Sequence, residues 1–190
     1  MLLNATLLLL AGGGSRRMGR PKALLPVAGT TLVEWLADRL APGFADLLVS
    51  ARAGSDLPPA LRGRVVLDLR DDAGPLAGIE AGLAACPTPA LVAVACDMPW
   101  VSPELCGRLV ATVAGHDAAV PRLQSGPEPT CAAYARSALT GIRAALEDGR
   151  LRAREVLSGL DVAWLDGEAA GQFDNLNRPE DYERFLDAVR

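Results

Sequence analysis

Five short apolar runs recur along this chain, at residues 6–11, 45–50, 64–67, 90–95 and 118–120. Each is short and nearly continuous rather than alternating, which suits strands covered on both faces. Helix-like segments lie between several of them. Residues 31–40 carry Leu32, Trp35, Leu36 and Leu40 at helical spacing, with Thr30 or Thr31 as the N-cap. Residues 76–85 follow Pro75. Ser102 caps a third helix with Pro103 at its first position. Residues 138–146 and 179–189 give two more, the last opened by Pro179. Strand and helix thus alternate, which implies parallel strands with helices on both faces. Residues 130–134 break the alternation and read as an added strand.

A length of 190 residues suits one well-buried domain, and no linker divides it. The expected fold is α/β: a single three-layer α/β/α domain over residues 1–190 with a Rossmann-like, mostly parallel sheet. Aromatics are 4% of the chain, so the core must be aliphatic. A net charge of −4 argues against non-specific nucleic-acid binding, which needs a basic face. Cys86, Cys96, Cys106 and Cys131 form no C-x-x-C pair and read as reduced, core-filling thiols. Cys86 and Cys106 fall in expected helices. The apolar run at 7–11 is too short to span a bilayer and lacks the basic flank of a signal peptide. A cytoplasmic protein with no membrane segment is expected.

The first run leads into Leu10-Ala11-Gly12-Gly13-Gly14-Ser15-Arg16-Arg17-Met18-Gly19-Arg20-Pro21-Lys22. Consecutive glycines let backbone N–H groups close on phosphate oxygens. Two familiar loops do not fit. A dinucleotide fingerprint would need glycine where Arg17 stands. A Walker A loop would need Lys-Ser/Thr where Arg20-Pro21 stand. Pro21 disfavours helix at Arg20, so the chain stays extended to Lys22. Of the 19 basic residues, 18 are Arg and only Lys22 is Lys. A compact ammonium on a flexible stem can follow charge as it shifts on a phosphate, whereas a guanidinium docks in a fixed plane. A strong Arg bias could also leave one Lys by chance.

Asp97, in Val94-Ala95-Cys96-Asp97-Met98-Pro99, follows a buried strand and projects from its carboxyl end, where open α/β sheets bind ligands. A lone carboxylate there suits Mg²⁺, which fills its shell with phosphate oxygens and water, although an Asp can also serve only to cap a turn. Asp68 follows the third run and precedes Gly74-Pro75-Leu76-Ala77-Gly78 at a helix start. Gly78 allows close packing on that first turn. Asp71 and Asp72 read as solvated loop charges. Asn175 and Asn177 lie in Phe173-Asp174-Asn175-Leu176-Asn177-Arg178-Pro179-Glu180-Asp181, where a helix start alone could account for them.

The string LAGG-x-S-x-RMG-x-x-K-x-LLP-x-x-G-x-x-L resembles nucleotidyltransferases, and most of all the molybdenum cofactor guanylyltransferase family. The GPLAG turn, Asp97 in CDMP and the N-x-N-x-P-E-D turn carry the same resemblance, from Leu7 to about Tyr182. It implies transfer of GMP from GTP to molybdopterin with release of pyrophosphate and Mg²⁺ as cofactor. It implies GTP and molybdopterin as substrates, and molybdoenzymes or other cofactor-biosynthesis proteins as partners. Lys22, Asp97 and Arg16 would be catalytic. Leu10, Ala11, Gly12, Gly13, Lys22, Asp68 and Asp97 would bind nucleotide, and Asp97 the metal. The Asn turn matches the guanylyl branch, whose cytidylyl relatives more often carry Asp there. The chain departs from the family after the second strand, where Ser50-Ala51-Arg52 replaces an Asn-rich turn.

Alternatives on the same residues are a cytidylyl or sugar-1-phosphate nucleotidyltransferase, a non-catalytic nucleotide carrier and, more distantly, a dinucleotide oxidoreductase. His116, the only His, reads as structural or exposed. Glu128 could line the second-substrate pocket or make a turn. Arg150, Arg152 and Arg154 read as a solvated helix start, or as contacts to the pterin phosphate.

Overall fold

The computed structural model describes residues 2–12, 21–70 and 73–190. Its strands are β1 (Leu3–Leu10), β2 (Pro26–Val27), β3 (Thr30–Thr31), β4 (Phe44–Ala51), β5 (Val65–Leu67), β6 (Ala90–Ala95), β7 (Ala118–Leu123), β8 (Gly126–Pro127), β9 (Cys131–Ala135) and β10 (Val162–Leu165). Its helices are α1 (Leu32–Leu40), α2 (Pro75–Ala85), α3 (Pro103–Thr112), α4 (Ala138–Glu147), α5 (Ala153–Val156) and α6 (Pro179–Ala188).

The main sheet runs β10–β7–β9–β6–β1–β4–β5, with β8 paired to β7. Parallel pairing joins β1 to β4 and β6, β4 to β5, and β10 to β7. Strand β9 is antiparallel to both neighbours, β6 and β7. It is the added strand expected at 130–134, and it separates two parallel strands that would otherwise be adjacent.

The lack of alternation in β1 has a direct cause. Ala5, Leu7 and Leu9 enter one core, while Leu8 and Leu10 enter the other. The first core lies under α1 and α3, through Leu36, Leu40, Leu105 and Leu109. The second lies under α2, α4 and α5, through Ile79, Leu83, Ile142 and Val156. This is the three-layer arrangement that the alternating sequence implied. The four cysteines are free and buried, with Cys86 just past the end of α2 rather than inside it.

Local chemistry sets the helix starts. The Thr31 hydroxyl accepts from the Glu34 N–H at 3.4 Å and the Glu34 carboxylate accepts from the Thr31 N–H at 3.1 Å, a capping box that selects Thr31 over Thr30. Ser102 accepts from the Leu105 N–H at 3.1 Å, with Pro103 at the first helical position. Each such cap contributes about 1 kcal/mol.

Helix α2 is buried almost all round and lies close to the sheet. A Cβ at Gly78 would sit 2.2 Å from Ser50 Oγ and 3.0 Å from Leu10 Cδ2. Gly78→Ala should therefore destabilise the protein by about 1–3 kcal/mol through overpacking, despite the ~1 kcal/mol of helix propensity that alanine gains over glycine. Urea denaturation measures this; an unchanged midpoint would mean that α2 can move off the sheet freely.

A third cluster joins Leu25, Val27 and Leu32 to Leu176 and Phe185. Trp35 and Trp100 meet the Phe185 ring edge-on at 5.1 and 5.3 Å. This packing clamps α6 and the turn before it beside the β2–β3 hairpin, close to Lys22. Three features have no counterpart in the sequence reading: the β2–β3 hairpin, β8 and β10; α5 falls at the helix start read at Arg150, Arg152 and Arg154. Among the described residues, no helix is long and apolar enough to cross a membrane.

Candidate functional site

The carboxyl ends of β1, β4, β5 and β6 open into one cavity of about 450 Å³, a size suited to a small-molecule ligand. Its centre is Asp97, two residues past β6. Lys22 opens the short 3-10 turn at Lys22–Leu24, held by the Leu25 N–H bonding to the Lys22 carbonyl. Its ammonium donates to Asp97 Oδ2 at 2.8 Å and to Asn177 Oδ1 at 2.8 Å. The Lys22 and Asp97 side chains are 17% and 23% exposed, so the pair is largely shielded yet still reached from the cavity.

The turn 173–178 crosses over Asp97. The Leu176 N–H donates to the Asp97 carbonyl at 2.9 Å, and Asn175 lines the cavity. The Asp181 carboxylate takes the N–H groups of Asn177 and Arg178 at 3.2 and 3.0 Å, so the same turn also starts α6. Asn177 thus sits with Lys22 at the centre of the site.

Leu10 and Gly12 line the cavity where β1 ends. Ala11 packs toward the core under α1 and α3, and its N–H bonds to the Ser50 carbonyl at 2.9 Å. Gly13 and Arg16 lie outside the described residues, as do the other residues of 13–20 and the pair Asp71 and Asp72.

On one side of β1 stand Ser50, Arg52 and Asp68. A Cβ on Gly12 would lie 2.9 Å from Asp68 Oδ2, so glycine there makes room for the carboxylate. Burial pushes the Asp68 carboxyl above its ordinary pKa; the Ser50 hydroxyl and the Arg52 charge act against that rise. Asp68 Oδ1 is enclosed, with no hydrogen-bond partner among the described residues. Two residues on, Arg70 Nε donates to Glu80 at 3.0 Å, and Arg143 from α4 meets the same carboxylate at 3.3 Å. Glu80 is 2% exposed and anchors the Asp68 segment to α2. Its role carries no motif signal, because only the fold brings Arg70 and Arg143 to it.

On the other side of β1 stand Glu128 and Thr130, with Glu128 Oε1 accepting from the Thr130 hydroxyl at 2.6 Å. Glu128 thus both shapes its turn and lines the cavity. A more open groove continues from there past Arg152 and Arg154. Arg154 Nη1 donates to the Ser125 carbonyl at 3.2 Å, and Arg154 lies within α5. Arg150 bonds Asp148, and His116 meets Asp161 at the surface.

Chemically the centre offers one ammonium beside one carboxylate. Among the described residues there is no cluster of three acidic, His or Cys side chains that could cage a metal. A single carboxylate instead suits a cation that shares its shell with phosphate oxygens and water, as Mg²⁺ does. Cys96, next to Asp97, is fully buried; desolvation, helped by the Asp97 charge, pushes its thiol to about 12. It is no thiolate nucleophile at neutral pH.

Residues 7–163 match the family model of the MobA-like NTP transferase domain. The chain is 36% identical to the molybdenum cofactor guanylyltransferase of Cereibacter sphaeroides, covering 96% of each chain. It is 33% identical to a Pelotomaculum thermopropionicum protein named "Probable molybdenum cofactor guanylyltransferase", covering 95% of this chain and 91% of that one. Among solved structures, molybdopterin-guanine dinucleotide biosynthesis protein A from Archaeoglobus fulgidus superposes with a TM-score of 0.79 at 28% identity, over 96% of this chain and 97% of that one.

Proposed function

The chain belongs to the MobA-like NTP transferase family, and from that premise we propose that it transfers GMP from GTP to the phosphate of molybdopterin. The product is molybdopterin-guanine dinucleotide and pyrophosphate leaves. The observation that carries the reading is the Lys22–Asp97 contact of 2.8 Å at the centre of the cavity, where the carboxyl ends of β1 and β6 meet.

An oxygen of the acceptor phosphate attacks the α-phosphorus of GTP. The bond from that phosphorus to the bridging oxygen breaks, and its electron pair leaves with pyrophosphate. The attacking phosphate is already anionic at pH 7, so no general base is needed. The obstacle is repulsion between two anions, and catalysis is positioning and charge neutralisation. Lys22 supplies the fixed positive charge. Arg16 is assigned a second cation, and Gly12 and Gly13 the amides that cradle phosphate. Asp97 would hold Mg²⁺, which when bound neutralises phosphate oxygens and polarises the reacting centre. Asn177 holds the Lys22 ammonium in place by its side-chain oxygen. The acceptor enters from the side of Glu128 and Thr130, along the groove that carries Arg152 and Arg154. No cysteine takes part.

Incubation with molybdopterin, Mg²⁺ and either GTP, CTP or ATP, followed by mass analysis of the product, tests this reading. The guanine dinucleotide is expected. GTP should be preferred over CTP by at least roughly tenfold, equivalent to about 1.4 kcal/mol. A ratio near one, or one favouring CTP, would move the activity to cytidylyl transfer on the same scaffold. Absence of pyrophosphate release with every nucleotide would leave a carrier.

A further inference from the structure

The Asp97 carboxylate rides on two successive turns. The Met98 N–H donates to the Ala95 carbonyl at 3.0 Å, and the Val101 N–H to the Met98 carbonyl at 3.4 Å. Pro99 is second in the later turn. A carbonyl at that position points out of its own turn, so it needs a donor from elsewhere. Arg39, in the last turn of α1, supplies it. Its Nη1 donates to the Pro99 carbonyl at 2.6 Å, across 60 positions of sequence.

The guanidinium is itself held in place. It lies over the Trp35 ring, 5.1 Å from the ring centroid. Trp35 meets Phe185 edge-on, and Phe185 meets Trp100, the residue after Pro99. These contacts close a circuit from α1 through α6 and back to the Asp97 turn. Proline locks its own φ and restricts the residue before it to extended backbone. Met98-Pro99 is therefore a stiff link, and a shift of the Pro99 carbonyl is passed on to Asp97. The Asp97 carbonyl is tied separately, by the Leu176 N–H at 2.9 Å. With both ends of the link fixed, the carboxylate meets the cavity from one direction.

Resting on the reading of Asp97 as the metal ligand, we propose that Arg39 is a positioning residue: its bond to the Pro99 carbonyl sets the direction in which Asp97 presents its carboxylate. Neither Arg39 nor Pro99 lines the cavity, so the effect passes through the main chain and not through contact with substrate. Mg²⁺ tolerates little departure from octahedral geometry, so a small turn of its one carboxylate weakens its hold. Groups that orient a ligand from outside are in general worth about 10–100-fold in metal affinity. Arg39 should therefore govern how much the metal helps the nucleotide to bind, and not how the nucleotide binds without it.

Calorimetry without molybdopterin, so that nothing turns over, tests this. The dissociation constant of GTP is measured in Mg²⁺ and in EDTA, and the ratio gives the affinity gained from the metal. Comparing this gain between proteins cancels the metal–nucleotide complex formed in solution. Arg39→Met should cut the gain by about tenfold and leave affinity in EDTA unchanged. Arg39→Lys can still donate to the carbonyl and lie on Trp35, so it should keep most of the gain. Leu36→Val thins the core under α1 without touching the Pro99 bond. It should melt at a lower temperature and keep the wild-type gain. If Arg39→Met melts lower yet keeps the gain, Arg39 only stabilises the fold and the inference is overturned. Equal losses in Arg39→Met and Arg39→Lys, or a matching loss in Leu36→Val, would overturn it as well, because the donated bond would not be the cause. Should Arg39→Met fail to fold, Arg39→Gln, with a shorter amide side chain, takes its place. Asp97→Asn is measured alongside. If it keeps the wild-type gain, the metal reading of Asp97 itself fails. If it loses the gain while Arg39→Met keeps it, only the inference about Arg39 fails.

Discussion

Lys22→Ala lowers turnover by about two to three orders of magnitude while the fold stays intact. Removing one preorganised charge contact from a transition state costs about 3–4 kcal/mol in a comparable setting. Here the loss leaves Asp97 Oδ2 and Asn177 Oδ1 without the ammonium they share. Lys22→Arg should recover only part of the rate, because a planar fork cannot occupy the point between a carboxylate and an amide oxygen in the same way. Single-turnover kinetics at saturating GTP, with a thermal melt as the check on folding, measures both. Wild-type rates in the alanine variant would remove Lys22 from the chemistry.

Asp97→Asn should reduce Mg²⁺-dependent transfer by at least about a hundredfold, since a metal acting on phosphate contributes several kcal/mol. The amide keeps the shape of the side chain and can still accept from Lys22, so stability should change little. Titration of Mg²⁺ against both proteins decides the matter. A variant whose metal requirement matches the wild type would place the ligand elsewhere.

Much of this architecture is legible in the chain because its strands are buried on both faces. β6 reads as an unbroken apolar run, and β1 and β4 as nearly continuous ones, broken by residues such as Thr6 and Asp46. The elements that escaped are those with weak local signals. The β2–β3 hairpin turns at Ala28 and Gly29, with φ of 48° and 86°, which is the type I′ geometry usually announced by Asn-Gly. Ala28 gives no such signal. Strand β10 is a short edge strand whose Trp164 is 40% exposed, and its pairing to β7 is a tertiary fact. Strand β8 has only two residues, Gly126 and Pro127, which read as part of a turn.

The site divides in the same way. Lys22, Asp97 and Asp68 stand out because each follows a recognisable strand or loop motif. Asn177 was visible as a motif, but its contact with Lys22 joins residues 155 positions apart, which no spacing rule can reach. That contact also changes what the Asn turn means. It places Asn177 beside the Lys22 ammonium, while Asn175 of the same turn lines the cavity. Glu80 and its two arginines are likewise invisible until α2, α4 and the end of β5 are assembled.

The inserted strand β9 has a consequence for how the chain reaches this state. Its pairing with β7, as at Ala119 and Ala133, closes a short loop, whereas β1 must find β6 across a far longer one, as at Leu7 and Val92. With the longer loop roughly six times the length, its closure costs about 1.6 kcal/mol more in chain entropy. The β7–β9 meander can therefore organise early from local contacts, while the junction of β1 with β6 waits on long-range search. Glu128 and Thr130 travel with the meander, and Asp97 travels with β6. Chain connectivity thus makes the Glu128 and Thr130 wall of the cavity the less costly one to close in entropy, and the Asp97 wall the more costly.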